Sequence, residues 1–79
     1  MSEELSQDAR QELVVRVLAD LLEAPDLDRE DDFFEQGGHS LLVIRAVATL
    51  KDKHSVSLPA RAFIEDSRIG AIAASSTSL

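Results

Sequence analysis

Apolar positions in "LVVRVLADLL" recur with helical spacing. Val14, Val17, Leu18 and Leu21 fall at i, i+3, i+4 and i+7, one face of a helix. Ser2 or Ser6 is placed to cap this helix, and Pro25 ends it near Glu23. From Ala24 to His39 no period is sustained. A loop that long is uncommon in a compact domain unless it is functional, and Leu27, Phe33 and Phe34 are its candidate anchors to a core. Helical spacing returns from Ser40 to Lys53, and "HSVS" breaks it. Leu58 and Pro59 open a short helix through Phe63 and Ile64, with Pro at a favoured first-turn position. Ser67 can cap a last helix carrying Ile69, Ile72 and Ala73, which Gly70 weakens by about 1 kcal/mol relative to Ala. "SSTSL" has the composition of a frayed tail. No alternating strand pattern and no internal repeat is present. The pattern predicts an all-α fold, a small four-helix bundle of three longer helices and one short one, with a long loop between the first two. Its core should join Val17, Leu18, Leu21, Val47, Leu50 and Phe63.

The second helix carries two apolar stripes. Val43, Ala46, Val47 and Leu50 form one, with Leu42 at its margin. Leu41, Ile44, Arg45 and Ala48 form the other. A small bundle buries one face of each helix. Arg45 decides between them, because an unpaired buried guanidinium is costly. Its stripe should face solvent, which leaves Leu41 and Ile44 exposed. Single exposed apolar residues need no explanation, but a stripe of them suggests a protein-binding surface.

Composition narrows the class. At 79 residues the chain makes one small domain, structured over about 5–75. Such a chain buries only about two-thirds of its unfolded surface. It has no cysteine, so there is no disulfide, thiolate nucleophile or thiolate metal ligand. His39 and His54 lie far apart, and no metal site is expected. The start, "MSEELSQDAR", lacks the apolar core of a signal peptide, and runs such as "LLVI" are too short to span a bilayer. A cytoplasmic location and a monomer are expected. The net charge is −7, and eight acids against Arg29 between Asp20 and Gln36 account for all of it. That field argues against nucleic acid and anionic membrane and favours basic protein partners. A solvated loop kept for solubility is the plainer explanation.

Candidate chemistry lies in "DDFFEQGGHSLL", Asp31 to Leu42. Ser is a preferred helix N-cap, and Gly37-Gly38 is an ordinary turn into a helix. On "GGHS" alone the cap explains Ser40. A functional use needs the same geometry. A hydroxyl at a helix start is exposed, and a phosphate attached there meets free N–H groups and the positive end of the dipole. The glycines would let another protein approach closely.

The stretch resembles the phosphopantetheine attachment site of carrier proteins, in the Gly-Gly-His-Ser form of peptidyl carrier (thiolation) domains of nonribosomal peptide synthetases. The likeness covers about residues 10–75 and includes "LPARAFIED" and the last apolar helix. Gln36 stands where the family usually has Leu, which predicts looser packing before the site. Asp66-Ser67 replaces a usual Pro-Thr. The resemblance implies a carrier-protein helical bundle that is not an enzyme. It implies 4'-phosphopantetheine from coenzyme A, attached covalently to Ser40 by a phosphopantetheinyl transferase. An adenylating or acyl-transferring enzyme would load the arm with an aminoacyl, peptidyl or acyl group as a thioester, and condensing or transferase enzymes would receive it. Leu41, Ile44, Arg45 and Ala48 would form the face such partners read. His39 would be a turn residue with no catalytic role. The chain resembles a free-standing carrier, although an excised module domain would look the same. A polyketide acyl carrier with the same chemistry, and a plain helical interaction module, are the alternatives.

Two other classes fit poorly. A serine hydrolase elbow needs Gly-x-Ser-x-Gly after a strand, and Leu42 occupies its second Gly position. A calcium loop starting at Asp26 would need Gly at Asp31 and Glu at Gly37.

Overall fold

The computed structural model describes residues 6–79, so the alternative cap Ser2 and residue 5, the start of the expected structured region, lie outside the described residues. Helix α1 spans Gln7–Leu22. Ser6 is its N-cap, and its Oγ accepts from the Ala9 N–H at 3.1 Å, a bond of the kind worth about 1 kcal/mol. The helix stops at Glu23, in the left-handed region at φ 54°, whose N–H donates back to Ala19 and Asp20. Ala24 N–H also reaches Ala19 O, closing the end ahead of Pro25.

Helix α2 spans Ser40–His54, within one residue of the expected range. Ser55 ends it at φ 55°, and Lys51, Lys53 and His54 lie in the last turn, where positive charge suits the dipole. Val43, Ala46 and Leu50 are buried, against Val14, Val17 and Leu18 of α1 within one core. The stripe choice made from Arg45 is therefore the one the fold adopts.

The remaining elements are shorter than their pattern predicts. Helix α3 is Ala62–Glu65, and Pro59 sits outside it, its carbonyl accepting from Ala62 N–H. Helix α4 is only Ile69–Ala74, so among the described residues two helices are long and two short. Ile69, Ile72 and Ala73 are nonetheless fully buried, which anchors a helix too short to stand alone. Gly70 has a packing reason. An added Cβ would meet Arg29 Cβ at 3.1 Å and Arg29 O at 3.3 Å.

The C-terminal segment is not frayed. Strand β1, Val56–Ser57, pairs antiparallel with β2, Thr77–Ser78, with Val56 opposite Ser78. Leu79 N–H donates to Ser55 O, and buried Ser76 accepts from Arg10 Nε at 3.2 Å. Two residues are too few to show alternation, so the ladder left no trace in the pattern.

Of the six expected core residues, Val17, Leu18, Leu50 and Phe63 are buried. Leu21 and Val47 are only half-buried at its margin. Phe33 is fully buried and makes an edge contact with Phe63, centroids 4.9 Å apart. Leu27 packs half-buried on the core, whereas Phe34 is 38% exposed and rests edge-on against Phe33. One Phe pins the loop and the other covers it.

Candidate functional site

The loop from Glu23 to His39 is held by its own acids. Asp31 Oδ2 accepts from Asp28 N–H at 2.8 Å, and Asp28 Oδ1 from Glu30 N–H at 3.1 Å. Asp32 Oδ1 accepts from Phe34 N–H at 2.9 Å and Glu35 N–H at 3.1 Å. Short side chains of this kind mimic backbone turns. Of these acids, only Asp28 stands at a position whose carboxylate a calcium loop starting at Asp26 would use, and here it serves a backbone amide. Among the described residues no group of three or more such side chains is arranged to hold a metal ion.

The same segment is laid along the junction before α4. Phe33 N–H donates to Ser67 O, Ile69 N–H to Asp31 O and Gly70 N–H to Arg29 O, each at 2.8 Å. Asp32 and Arg68 face each other in an antiparallel bridge. Ser67 Oγ donates to Asp32 Oδ2. Ser67 therefore does not cap α4. Arg68 is the N-cap, without a side-chain bond, and it pairs instead with Asp66 at 2.7 Å. The Ser67 hydroxyl and the Glu35 and Phe34 amides lower the Asp32 carboxyl below its ordinary 3.8, against burial and nearby Asp66. Arg68 takes Asp66 down to about 2 by hydrogen bonding and charge.

Gln36 N–H donates to Asp32 O, Gly37 N–H to Phe34 O and Gly38 N–H to Phe33 O, winding the chain toward α2. Gln36 is exposed, so its replacement of an apolar residue leaves the buried packing to Phe33. The two glycines serve different ends. Gly37 sits at φ +101° in open space, so its backbone angle demands it. At Gly38 a Cβ would lie 2.3 Å from the Phe33 ring. Its missing side chain thus makes room for the molecule's own core, where close approach by another protein was the expectation.

Ser40 is the first residue of α2, not its cap. His39 takes the capping position in extended conformation, φ −154°, and makes no side-chain cap bond. The first intrahelical acceptor is His39 O, bonded by Val43 N–H at 3.0 Å. The amides of Ser40, Leu41 and Leu42 precede that bond and point out of the helix start. Ser40 is exposed. An exposed hydroxyl beside free first-turn amides suits a phosphate ester, whose charge those donors and the dipole would receive.

Leu41 and Ile44 are 59% and 63% exposed, and Arg45 and Ala48 are exposed with them. Beyond this helix, Ile64 of α3 is 76% exposed. An open groove of about 500 Å³ lies elsewhere, between α1 and the loop start, lined by Arg16, Asp26 and Arg29 among others. Ser40 is not among its walls. Among the described residues no helix is long and apolar enough to cross a membrane. The Asp32–Ser67 pair leaves little trace in the sequence. The available signal was Asp32 placed two residues before Phe34, the spacing of an Asx turn.

The sequence matches the family described as "Phosphopantetheine attachment site" over residues 12–75. It is 38% identical over 69 residues to a linear gramicidin synthase protein of Brevibacillus parabrevis, covering 87% of this chain and 1% of that protein. The chain thus spans a very small part of that curated relative. A solved non-ribosomal PCP domain has the same fold, with a TM-score of 0.78 at 22% identity over 100% of this chain and 99% of that one. A chain of the solved complex of the phosphopantetheine transferase Sfp with coenzyme A and a peptidyl carrier protein matches at TM-score 0.71. It is 25% identical and covers 82% of this chain and 84% of that one.

Proposed function

The chain belongs to the phosphopantetheine attachment-site family, in the peptidyl carrier form found in nonribosomal peptide synthetases, and from that membership we propose that Ser40 bears the arm. The cofactor of the family is 4'-phosphopantetheine. When attached, it supplies a flexible thiol on which an acyl group is held as a thioester.

The observation that carries the assignment is the placement of Ser40. Its hydroxyl is exposed at the first position of α2, and no side chain caps the amides around it. His39 holds the N-cap position, and we assign activation of the hydroxyl to the transferase. The domain itself performs no chemistry. It presents Ser40 to a phosphopantetheinyl transferase, then to a loading enzyme and to the enzymes that take the group onward. Leu41, Ile44, Arg45 and Ala48 form the face these partners read, because they adjoin Ser40 on the solvent side of α2. Aminoacyl and peptidyl groups are the proposed cargo, on the strength of the gramicidin-synthase likeness.

Intact-mass measurement after incubation with coenzyme A and a broad-specificity transferase tests this. One phosphopantetheine should add to the chain and none to Ser40→Ala. Continued modification of the Ala variant would overturn the assignment.

A further inference from the structure

The two carboxylate oxygens of Asp32 serve different parts of the molecule. Oδ1 accepts from the amides of Phe34 and Glu35, which form the turn that leads through Gly37 and Gly38 to Ser40. Oδ2 accepts from Ser67 Oγ, just ahead of α4. The strand-like contacts of Phe33 with Ser67, Asp31 with Ile69 and Arg29 with Gly70 bring these segments together. Ser67 lies 27 positions from Ser40 in sequence and belongs to none of the proposed partner face.

We propose that Ser67 is a positioning residue for arm attachment: its hydroxyl fixes the Asp32 carboxylate, and through it the turn that presents Ser40. The inference rests on Ser40 being the attachment point. The five backbone amides from Phe34 to Gly38 depend on atoms of Asp32, Phe33 or Phe34 for their acceptors, so a shift of Asp32 passes directly into the segment before α2. The core under α1 and α2 does not depend on Ser67, which is only half-buried. Loss of its hydroxyl should therefore loosen the turn and leave the bundle intact.

The test compares the full chain with Ser67→Ala, Ser67→Thr and Asp32→Asn in two measurements. One is amide exchange at Phe34 and Glu35 against Leu18 as a core reference. The other is attachment kinetics with one transferase and coenzyme A at varied carrier concentration. A single hydrogen bond corresponds to a factor of about two to ten in an equilibrium. Ser67→Ala should speed exchange at the two loop amides by roughly that factor with Leu18 unchanged, and raise KM similarly with kcat retained. Ser67→Thr, which keeps the hydroxyl, should restore both. Unchanged exchange, or faster exchange at unchanged KM, overturns the inference. Should Ser67→Ala fail to fold, Asp32→Asn must move exchange and KM together in the same direction, or the inference falls. A wild-type chain that takes no arm at Ser40 overturns the attachment assignment itself, and this inference with it. Unchanged exchange overturns this inference alone.

Discussion

The ring of Phe33 fills the space that a side chain at Gly38 would need. A Cβ there would stand 2.3 Å from the ring and 2.6 Å from the Phe33 carbonyl oxygen, and that oxygen also accepts the Gly38 N–H. The buried ring and the turn before Ser40 are thus one packed unit. Gly38→Ala should cost about 1–3 kcal/mol as overpacking against a ring that cannot withdraw. Gly37→Ala meets no neighbour but must hold φ near +101°, at roughly 1–2 kcal/mol. Urea denaturation measures both. Only Gly38→Ala should also disturb the Phe33 ring resonances in an NMR spectrum.

Ser40→Ala should leave stability within about 0.5 kcal/mol of the parent. A capping serine would cost about 1 kcal/mol. The difference follows from its place at the first helical position, with His39 as the cap. Comparing urea midpoints of the two proteins checks this, and a loss above about 1 kcal/mol would return Ser40 to a capping role.

How much of this was legible in the sequence depends on the range of each interaction. Both long helices follow from local periodicity, and Arg45 alone chose the buried face of α2 correctly. Helices α3 and α4 are shorter than their sequence pattern predicts, because apolar spacing continues past the point where the chain turns. Phe34 and Phe33 are neighbours of one type, and only tertiary packing decides which is buried. The Asp32–Ser67 bond joins segments 35 residues apart, and the short β1–β2 ladder joins others that are distant in sequence. No local pattern encodes such pairings. The sequence suggests a cap at Ser67 because capping and long-range bonding use the same hydroxyl.

Leu18 and Leu21 separate centre from margin on α1. Leu18 is fully buried and Leu21 only half so. Leu18→Ala should cost about 2–5 kcal/mol, a large share of what so small a domain has. Leu21→Ala should cost clearly less, about 1–2 kcal/mol, since part of its surface is already in water. Equal losses in chemical denaturation would mean that α1 is rotated relative to this packing.

Acid should weaken the loop only below the ordinary carboxylate range. The Asp32 carboxyl is lowered by the Ser67 hydroxyl and the amides of Glu35 and Phe34, so its folded pKa lies below its unfolded one. Its contribution is therefore complete above the ordinary value of 3.8 and is lost as pH falls through the lower folded value. Asp66, at about 2 beside Arg68, follows the same sign in the same acid range. In carboxyl-carbon NMR, Asp32 should titrate below 3.8 in the parent and move upward toward it in Ser67→Ala. The stability gap between the two proteins should narrow as pH falls below about 4. A gap independent of pH would show that the bond gains nothing from the charge on Asp32.

Recognition can be separated from folding on a single helix. Arg45 is exposed, while its neighbour Ala46 is completely buried among the core side chains of α2 and α1. Arg45→Glu changes the charge of the outer face without touching the core. It should leave the urea midpoint nearly unchanged and slow loading by the cognate enzyme, where a carboxylate or carbonyl would otherwise meet the guanidinium. Ile44→Ala should act in the same direction by removing exposed apolar contact area. Ala46→Glu places an unpaired carboxylate in the core and should unfold a domain this small. Neutralising Asp31 and Asp32 tests a third effect, because long-range attraction speeds encounter and is screened by salt. Asp31→Asn is the milder probe, since the Asp31 carboxylate holds one loop amide whereas that of Asp32 holds two and the Ser67 hydroxyl. It should lower the low-salt association rate with a basic partner and have little effect at high salt. Normal loading of Arg45→Glu by its true partner would remove this face from the recognition surface.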